Sequence, residues 1–272
     1  YLLYGTAIHH TLKDFFDALR RAEAIDEGGL RHEKKPNEAY LLASFERRLK
    51  EEPLGIADYT ETLEKGKTAL SGYFLHSAHE WRFDARAELK IEALFPIDTL
   101  AASIPLRGIL DRVEILPSGG VLVVDYKTGK PKSRNEIEGN TKTSRGDYKR
   151  QLVFYKLLLS LVSSTAVGNS KKAAPYGERR GLAPSFPQFE KKLRSRPQLS
   201  IIVANFEGVV EFIEPDASGK YREETFAVTD EEVAALSEVI QKTATEIHAL
   251  SFWNKRCADR SCRYCAMRET LK

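Results

Sequence analysis

The segment VLVVDYKTGK, residues 121–130, constrains the fold more than any other part of the sequence. Its first four residues are apolar, and so short a run is typical of a β-strand buried on both faces. Asp125 and Lys127 follow where this strand leaves the core. Because side chains alternate along a strand, these two groups point the same way. The chain therefore needs a sheet that is covered on both sides, with an acid and a lysine at one end of a buried strand.

Helical patterns before and after this strand predict the covering layers. Residues 5–19 have apolar side chains at helical spacing, with His9 beside the apolar face. That face comprises Ile8, Leu12, Phe15 and Leu19. Similar patterns predict helices at about 37–50, 60–80 and 148–162.

A last helix is predicted to begin at the capping-box sequence Thr229–Glu232 and to reach about Leu250. The residues in it that we expect to face the core are Val233, Leu236, Ile240 and Ile247.

Strand-like segments predict the rest of the sheet. They cover residues 86–95, 105–116 and 120–126, and the turn sequence PSGG predicts that the last two form a hairpin. Residues 127–148 are polar and contain glycine, which predicts a loop. Two further short strands are predicted in LSIIVANF, residues 199–206, and GVVEFIEP, residues 208–215.

The length of the chain favours a single domain. With 272 residues, 42% of them hydrophobic, the chain can bury a substantial core, and we expect one domain over residues 1–272. No run of roughly eighteen apolar residues or secretory signal pattern is present, which predicts a soluble cytoplasmic protein without a membrane partner. The sequence begins without Met inside a helical pattern, so we expect it to be a piece of a longer protein.

Positive charge is concentrated in residues 163–197, which hold eight Lys or Arg against two Glu. This segment is predicted to be a flexible insertion. A solvated surface loop and a loop that faces a polyanion are equally good interpretations of it.

Two acids at neighbouring strand ends suggest a metal site. Asp111 lies in the strand-like segment GILDRVE, and Asp125 follows across the hairpin. Carboxylates held together repel each other, and a divalent cation that prefers oxygen ligands, Mg²⁺ or Mn²⁺, relieves that cost. Lys127 points into the same space, where it could orient a water molecule and hold phosphate charge, as phosphodiester hydrolysis requires. The alternatives for these residues are a buried Asp–Lys ion pair without chemistry, or an acid in a turn beside a solvated lysine.

Four short motifs occur in a fixed order along the chain: GTAIH (Gly5–His9), GILDR (Gly108–Arg112), DYKTG (Asp125–Gly129) and QLVFY (Gln151–Tyr155). Together they resemble the motifs of the PD-(D/E)xK nuclease superfamily, and in particular the RecB/AddB-type nuclease domain. The resemblance implies an α/β fold with a restriction-endonuclease-like core, in which helices flank a mixed central β-sheet.

The resemblance also implies roles for individual residues. His9, Asp111 and Asp125, with the backbone carbonyl of Tyr126, would bind the metal, and the imidazole makes Mn²⁺ plausible beside Mg²⁺. Lys127 would position or activate the attacking water. The residues expected to contact DNA are Gln151, Tyr155, Lys130, Lys149 and Arg150. An ordinary amphipathic helix remains the alternative for the first two, and surface solvation for the three basic residues. Glu88 precedes the first acidic strand and could be a further acid near the metal, but it is left outside the predicted site.

The implied activity is metal-dependent cleavage of DNA by an exonuclease or endonuclease, and the expected substrate is single-stranded DNA. The implied partner is a UvrD/RecB-type helicase, in the same chain or another subunit, in nucleoid-associated DNA repair or recombination. A CRISPR-associated exonuclease is an enzymatic alternative, and a catalytically silent domain that grips DNA is another. A phosphate-binding regulator is disfavoured because the sequence lacks a glycine-rich P-loop.

All three cysteines lie in the C-terminal segment, residues 257–272, as Cys257, Cys262 and Cys265. Three thiols so close together in an intracellular chain indicate metal ligation. The resemblance implies a [4Fe–4S] cluster whose fourth ligand lies outside this sequence. The spacing departs from that of the relatives, so a zinc site and free cysteines remain alternatives.

Overall fold

The strand predicted in residues 120–126 covers Val121–Lys127 and lies at the centre of a five-stranded sheet. The computed structural model describes residues 2–23, 34–165 and 203–270, except 252, 254, 256 and 260. The strands are β1 (Arg86–Ile97), β2 (Ala102–Ile115), β3 (Val121–Lys127), β4 (Phe206–Phe212) and β5 (Glu223–Ala227), and they lie side by side in chain order. All neighbours are antiparallel except β3 and β4, so the sheet is mixed, as predicted.

Helices cover both faces of this sheet. In the described part of the chain they are α1 (Leu2–Glu23), α2 (Glu38–Lys50), α3 (Ile56–Ser77), α4 (Arg134–Glu138), α5 (Asp147–Thr165), α6 (Asp230–His248) and α7 (Arg263–Thr270). Val124 and Tyr126 of β3 belong to a core shared with α1, α2 and α3. Val121 and Val123 belong to a second core shared with α5. The expectation of a strand buried on both faces is therefore confirmed.

The predicted hairpin between β2 and β3 is present. Leu116 N donates to Gly120 O at 2.9 Å, and Gly119 N donates back to Leu116 O at 2.8 Å. The predicted capping box of the last long helix is present too, because the Thr229 side chain and Glu232 exchange hydrogen bonds with each other's backbone N–H.

Some sequence-based expectations were wrong. The polar segment 127–148 contains α4, which begins with a capping box between Ser133 and Glu136 that the sequence could have shown. Strand β5 was not predicted because it is polar, with Phe226 as its one buried residue. In LSIIVANF, residues 199–202 lie outside the described residues, and Val203 and Ala204 are helical. The two strands predicted in 199–215 correspond to the single strand β4, which begins at Phe206.

Two further predictions differ in outcome. Ile247 does not face the core, since 57% of its surface is exposed near the end of α6. Most of the predicted basic insertion, residues 166–197, lies outside the described residues, whereas residues 163–165 complete α5. Every helix among the described residues is too short or too polar to span a bilayer.

Candidate active site

The pairing of β2 with β3 brings the two predicted acids together. The antiparallel register pairs Arg112 with Val124, so the next positions, Asp111 and Asp125, lie side by side. The backbone N–H of Tyr126 donates to Asp111 Oδ2 at 2.8 Å and fixes that carboxylate. Both acids are buried. Sequence reasoning therefore placed the two acids correctly relative to each other.

Helix α1 brings His9 to the same place. His9 Nδ1 lies 3.1 Å from Asp111 Oδ1. One turn earlier, a Cβ atom on Gly5 would lie 3.2 Å from Thr128 Oγ1, so the absence of a side chain there lets α1 approach the end of β3. The glycine and histidine of GTAIH thus act together, one permitting the approach and the other using it.

Glu88 is the residue that sequence reasoning left out. Its neighbours Ala87 and Leu89 pair with Arg112 and Leu110, so Glu88 lies opposite Asp111 on β1. Its Oε1 is 3.5 Å from His9 Nδ1. Ligand atoms of His9, Glu88 and Asp111 all lie within 4.8 Å of one another. Only the register between β1 and β2, which the sequence does not show, identifies Glu88.

The charge on His9 is set by its two acidic neighbours. Burial favours the neutral imidazole, but the hydrogen bonds and charges of Asp111 and Glu88 outweigh it and raise the pKa of His9 to about 10. An imidazole must lose its proton at the ligating nitrogen before it binds a metal. A cation at this site therefore displaces a proton from between two carboxylates.

Asp125 and Lys127 form the second half of the site. Lys127 Nζ lies 2.6 Å from Asp125 Oδ2 and donates to Gln151 Oε1 at 2.8 Å. Gln151 Nε2 donates to the Tyr155 hydroxyl at 2.5 Å, and that hydroxyl donates to Asp125 Oδ1 at 3.2 Å. Four side chains from β3 and α5 thus close a ring of contacts.

The protonation of this ring follows from its burial. Burial raises the pKa of the Asp125 carboxyl, the charge of Asp111 raises it further, and the Lys127 ammonium opposes both. Burial and the charges of Asp125 and Asp111 hold the pKa of the Tyr155 hydroxyl well above its usual range, so Tyr155 remains a donor.

Helix α5, which carries Gln151 and Tyr155, lies close to β2. A Cβ atom on Gly108 of β2 would be 2.5 Å from Leu158 Cδ1 of α5.

A buried charge network lies next to these residues. Arg112 Nη1 donates to the Tyr126 hydroxyl at 2.9 Å, and Arg112 also contacts Glu114 at 3.1 Å and Glu211 at 3.6 Å. Tyr73 of α3 donates to Glu211 at 2.7 Å. The network ties α3 and β4 to the residue whose backbone holds Asp111.

The three basic residues predicted to contact DNA have different surroundings. Lys130 is exposed. Lys149 Nζ lies 3.3 Å from both Glu232 Oε1 and the carbonyl of Ala227, at the junction of β5 and α6. Arg150 pairs with Asp147 at 3.2 Å. The latter two are thus engaged with the protein itself.

A model of the PD-(D/E)XK nuclease superfamily matches residues 2–270. The match includes every residue of the site described above. The chain belongs to the PD-(D/E)XK nuclease superfamily. Proteins of this superfamily are generally nucleases that use divalent metals, and the α/β sheet with helices on both faces is consistent with their restriction-endonuclease-like fold.

Other comparisons add little to the superfamily match. The crystal structure titled "Crystal structure of SSO0001" is 14% identical, over 89% of this chain and 86% of that chain, with a TM-score of 0.33. A likeness of that size does not bear on function. The comparison with curated proteins gives no match.

The donor atoms of this PD-(D/E)XK site fit a divalent cation. One imidazole nitrogen and two carboxylates within 4.8 Å of one another suit Mg²⁺ or Mn²⁺ by ligand type. Asp125 stands beside this group, paired with Lys127.

A second candidate metal centre lies at the C-terminal end. Ligand atoms of Cys257, Cys262 and Cys265 also lie within 4.8 Å of one another, and Cys257 Sγ is 3.5 Å from Cys265 Sγ. The structure thus brings the three cysteines together.

Proposed function

We propose that this chain is a metal-dependent deoxyribonuclease that hydrolyses phosphodiester bonds, with single-stranded DNA as its preferred substrate. The observation that carries the proposal is the convergence of His9, Glu88 and Asp111 beside the Asp125–Lys127 pair. Ligands for a cation and a fixed ammonium group are the two requirements for charge stabilisation at a phosphoryl centre.

The proposed metal ligands are His9, Glu88, Asp111, Asp125 and the backbone carbonyl of Tyr126. Glu88 is added to the sequence-based set because of its 3.5 Å contact with His9. The bound cation, Mg²⁺ or Mn²⁺, would supply Lewis-acid polarisation of the phosphate and a lower pKa for a bound water.

Lys127 orients the nucleophilic water and balances phosphate charge. Its ammonium has three protons, and the contacts to Asp125 and Gln151 engage two of them, which leaves one for a water or a phosphate oxygen. The hydrogen bond from Tyr155 to Asp125 restricts the carboxylate. Gln151 and Tyr155 therefore position Lys127, in addition to any contact that they make with the strand. The expected products are a 5′-phosphate and a 3′-hydroxyl.

The test is cleavage of end-labelled single- and double-stranded DNA with Mn²⁺, Mg²⁺ or EDTA. Wild type should cleave with metal, faster on single strands, and not with EDTA. Lys127→Ala should lose about a hundredfold to a thousandfold in rate, because it removes a charge-stabilising donor. Asp111→Asn should lose at least as much.

Asp84→Asn is the matched control, because Asp84 is an exposed acid paired with Arg82 and lies outside the site. Cleavage that persists unchanged in Lys127→Ala and Asp111→Asn would overturn the proposal. Absence of cleavage by the wild type with every metal would overturn it as well and favour a silent DNA-gripping domain.

The proposed setting is DNA repair or recombination with a UvrD/RecB-type helicase. The motif set from Gly5 to Tyr155 supports this setting by resemblance. If it is correct, the nuclease should cleave faster on duplex DNA when a helicase of that type unwinds it. An unchanged rate would count against the partnership.

The proposed identity of the cysteine centre is an iron–sulfur cluster. Three sulfur ligands within 4.8 Å support it, and the fourth ligand would be a histidine or a group from outside this sequence. Anaerobically purified protein should then be brown and contain iron and sulfide. Zinc without iron would assign a zinc site, and neither metal would leave the cysteines as thiols.

A further inference from the structure

A cavity lies between α4 and the start of α5, beside the site. Its volume is about 340 Å³, and its wall includes Lys132, Thr143, Ser144, Arg145 and Tyr148. Small-ligand pockets start at roughly 300 Å³. The cavity is therefore large enough for about one nucleotide unit and too small for a duplex.

Tyr148 forms a wall common to this cavity and the site. Lys127 Nζ lies 4.5 Å from the centroid of its ring, and Lys132 Nζ lies 4.1 Å from the same centroid. Both distances are within the range of a cation–π contact. The cavity thus begins directly beside the lysine that we place at the phosphate.

Two cations and two acids line the cavity, and the cations are less engaged with the protein than the acids are. In the described part of the chain, neither Lys132 nor Arg145 has a carboxylate oxygen at ion-pair distance. The two acids of the wall are engaged: Glu136 accepts hydrogen bonds from the backbone N–H and hydroxyl of Ser133 at 2.8 and 2.7 Å. Asp147 pairs with Arg150 at 3.2 Å.

Other cations near α5 are less available. Lys149 is held by Glu232 and the carbonyl of Ala227. Arg150 donates to the carbonyl of Arg145 at 2.5 Å in addition to its pair with Asp147. Lys132 and Arg145 are therefore the two cations that line the cavity, and each can meet a phosphate without breaking an ion pair within the described residues.

We propose that this cavity is the subsite for one internal phosphodiester of the substrate strand, next to the bond that is cut, with Lys132 and Arg145 as its cationic contacts. The inference rests on the proposed nuclease function and deepens it. Tyr148 keeps the two lysines close to each other, so that two neighbouring phosphates are held at once. The strand leaves the site along the loop between β3 and α5.

The test measures cleavage of a short end-labelled single strand in Mn²⁺ by wild type, the double variant Lys132→Ala/Arg145→Ala and the control Lys142→Ala. Lys142 is an exposed lysine of the same loop that does not line the cavity. The double variant should raise KM at least about tenfold with little change in kcat. In the double variant, the slope of log KM against log salt concentration should be smaller than in wild type by about 0.7 for each lost phosphate contact.

A second set of substrates locates the contact. Each strand carries one uncharged methylphosphonate in place of a phosphate, and the position is moved along the strand. For wild type, the methylphosphonate should weaken binding most at one internal position near the cut. For the double variant, a strand with a methylphosphonate at that position should bind as well as the unmodified strand. A maximum at the terminal phosphate would overturn the assignment to an internal phosphodiester.

The outcomes separate this inference from the proposed function. If wild type cleaves DNA and the double variant behaves like Lys142→Ala, the subsite is wrong and the nuclease stands. If the double variant has a raised KM but responds to methylphosphonates as wild type does at every position, the two side chains act by general electrostatic attraction. That result also overturns the subsite. If wild type cleaves no DNA, both proposals fall.

Discussion

Among single residues, Glu88 combines an unfavourable backbone conformation with a position beside His9 and Asp111. Its φ angle is 51°, a left-handed conformation that a residue with a long side chain rarely adopts. The pairs on either side of it, Ala87 with Arg112 and Leu89 with Leu110, hold it there. Such outliers cluster at functional sites, where the surrounding structure supports the strain. The strain at Glu88 is consistent with a ligand role.

We therefore expect Glu88→Gln to weaken Mn²⁺ binding by at least about tenfold, because it removes a negative ligand next to His9. Its effect on the free energy of unfolding should be below about 1 kcal/mol, since the shape of the side chain is kept. Calorimetric titration and thermal melts measure the two quantities. Glu92→Gln, an exposed acid on the same strand, is the control. Equal Mn²⁺ affinities in the two variants would exclude Glu88 from the site.

The sequence predicted those residues that belong to local motifs. Asp125 and Lys127 are two positions apart on one strand, so alternation alone placed them together. Glu88, Lys132 and Arg145 have no such local signal. Their positions depend on the register of β1 and on the path of the loop before α5, and both depend on tertiary packing.

Among the elements, α1 matters most because it carries His9. Its attachment to α2 includes Asp14, whose Oδ2 and Oδ1 each accept from Arg48 at 2.7 Å. Arg47 adds a contact at 2.9 Å. Burial would raise the pKa of Asp14, but the hydrogen bonds from Arg48 and Arg47 outweigh it and lower the pKa.

A lowered folded-state pKa gives this pair a defined pH dependence. Its contribution to stability is complete above the ordinary Asp pKa of about 4 and is lost as the pH falls through the folded-state pKa. Asp14→Asn should therefore reduce the free energy of unfolding by about 1–2 kcal/mol at pH 7, as for a charge-assisted pair. Below pH of about 4, the difference from wild type should narrow.

Urea unfolding at neutral and acidic pH measures this difference. Glu61→Gln, an exposed acid on α3, is the control and should change little at either pH. A stability difference for Asp14→Asn that is the same at both pH values would show that packing, rather than the ion pair, attaches α1 to α2.

Element prediction succeeded where apolar periodicity was strong. The helices α1 to α3 and the strands β1 to β3 were predicted from it, although α1 and β1 are longer than predicted and α3 and β2 begin and end earlier. Strand β5 was missed because its sequence is polar and lacks apolar alternation. It forms by pairing with β4.

In the whole molecule, the site is built from residues that are far apart in sequence. Helix α1, strands β1, β2 and β3 and helix α5 each contribute one or two side chains. The resemblance predicted that α1, β2, β3 and α5 converge, and it did not include β1. The sheet order places β2 between β1 and β3.

The central claim is that His9, Glu88 and Asp111 share one divalent cation. Calorimetric titration of Mn²⁺ into EDTA-stripped, dialysed protein tests it directly, with wild type, His9→Ala, Asp111→Asn and the control Asp84→Asn. We predict that wild type and the control bind Mn²⁺ at one site, and that His9→Ala and Asp111→Asn each lower the Mn²⁺ affinity by at least about tenfold. Equal Mn²⁺ affinity in all four proteins would contradict the claim.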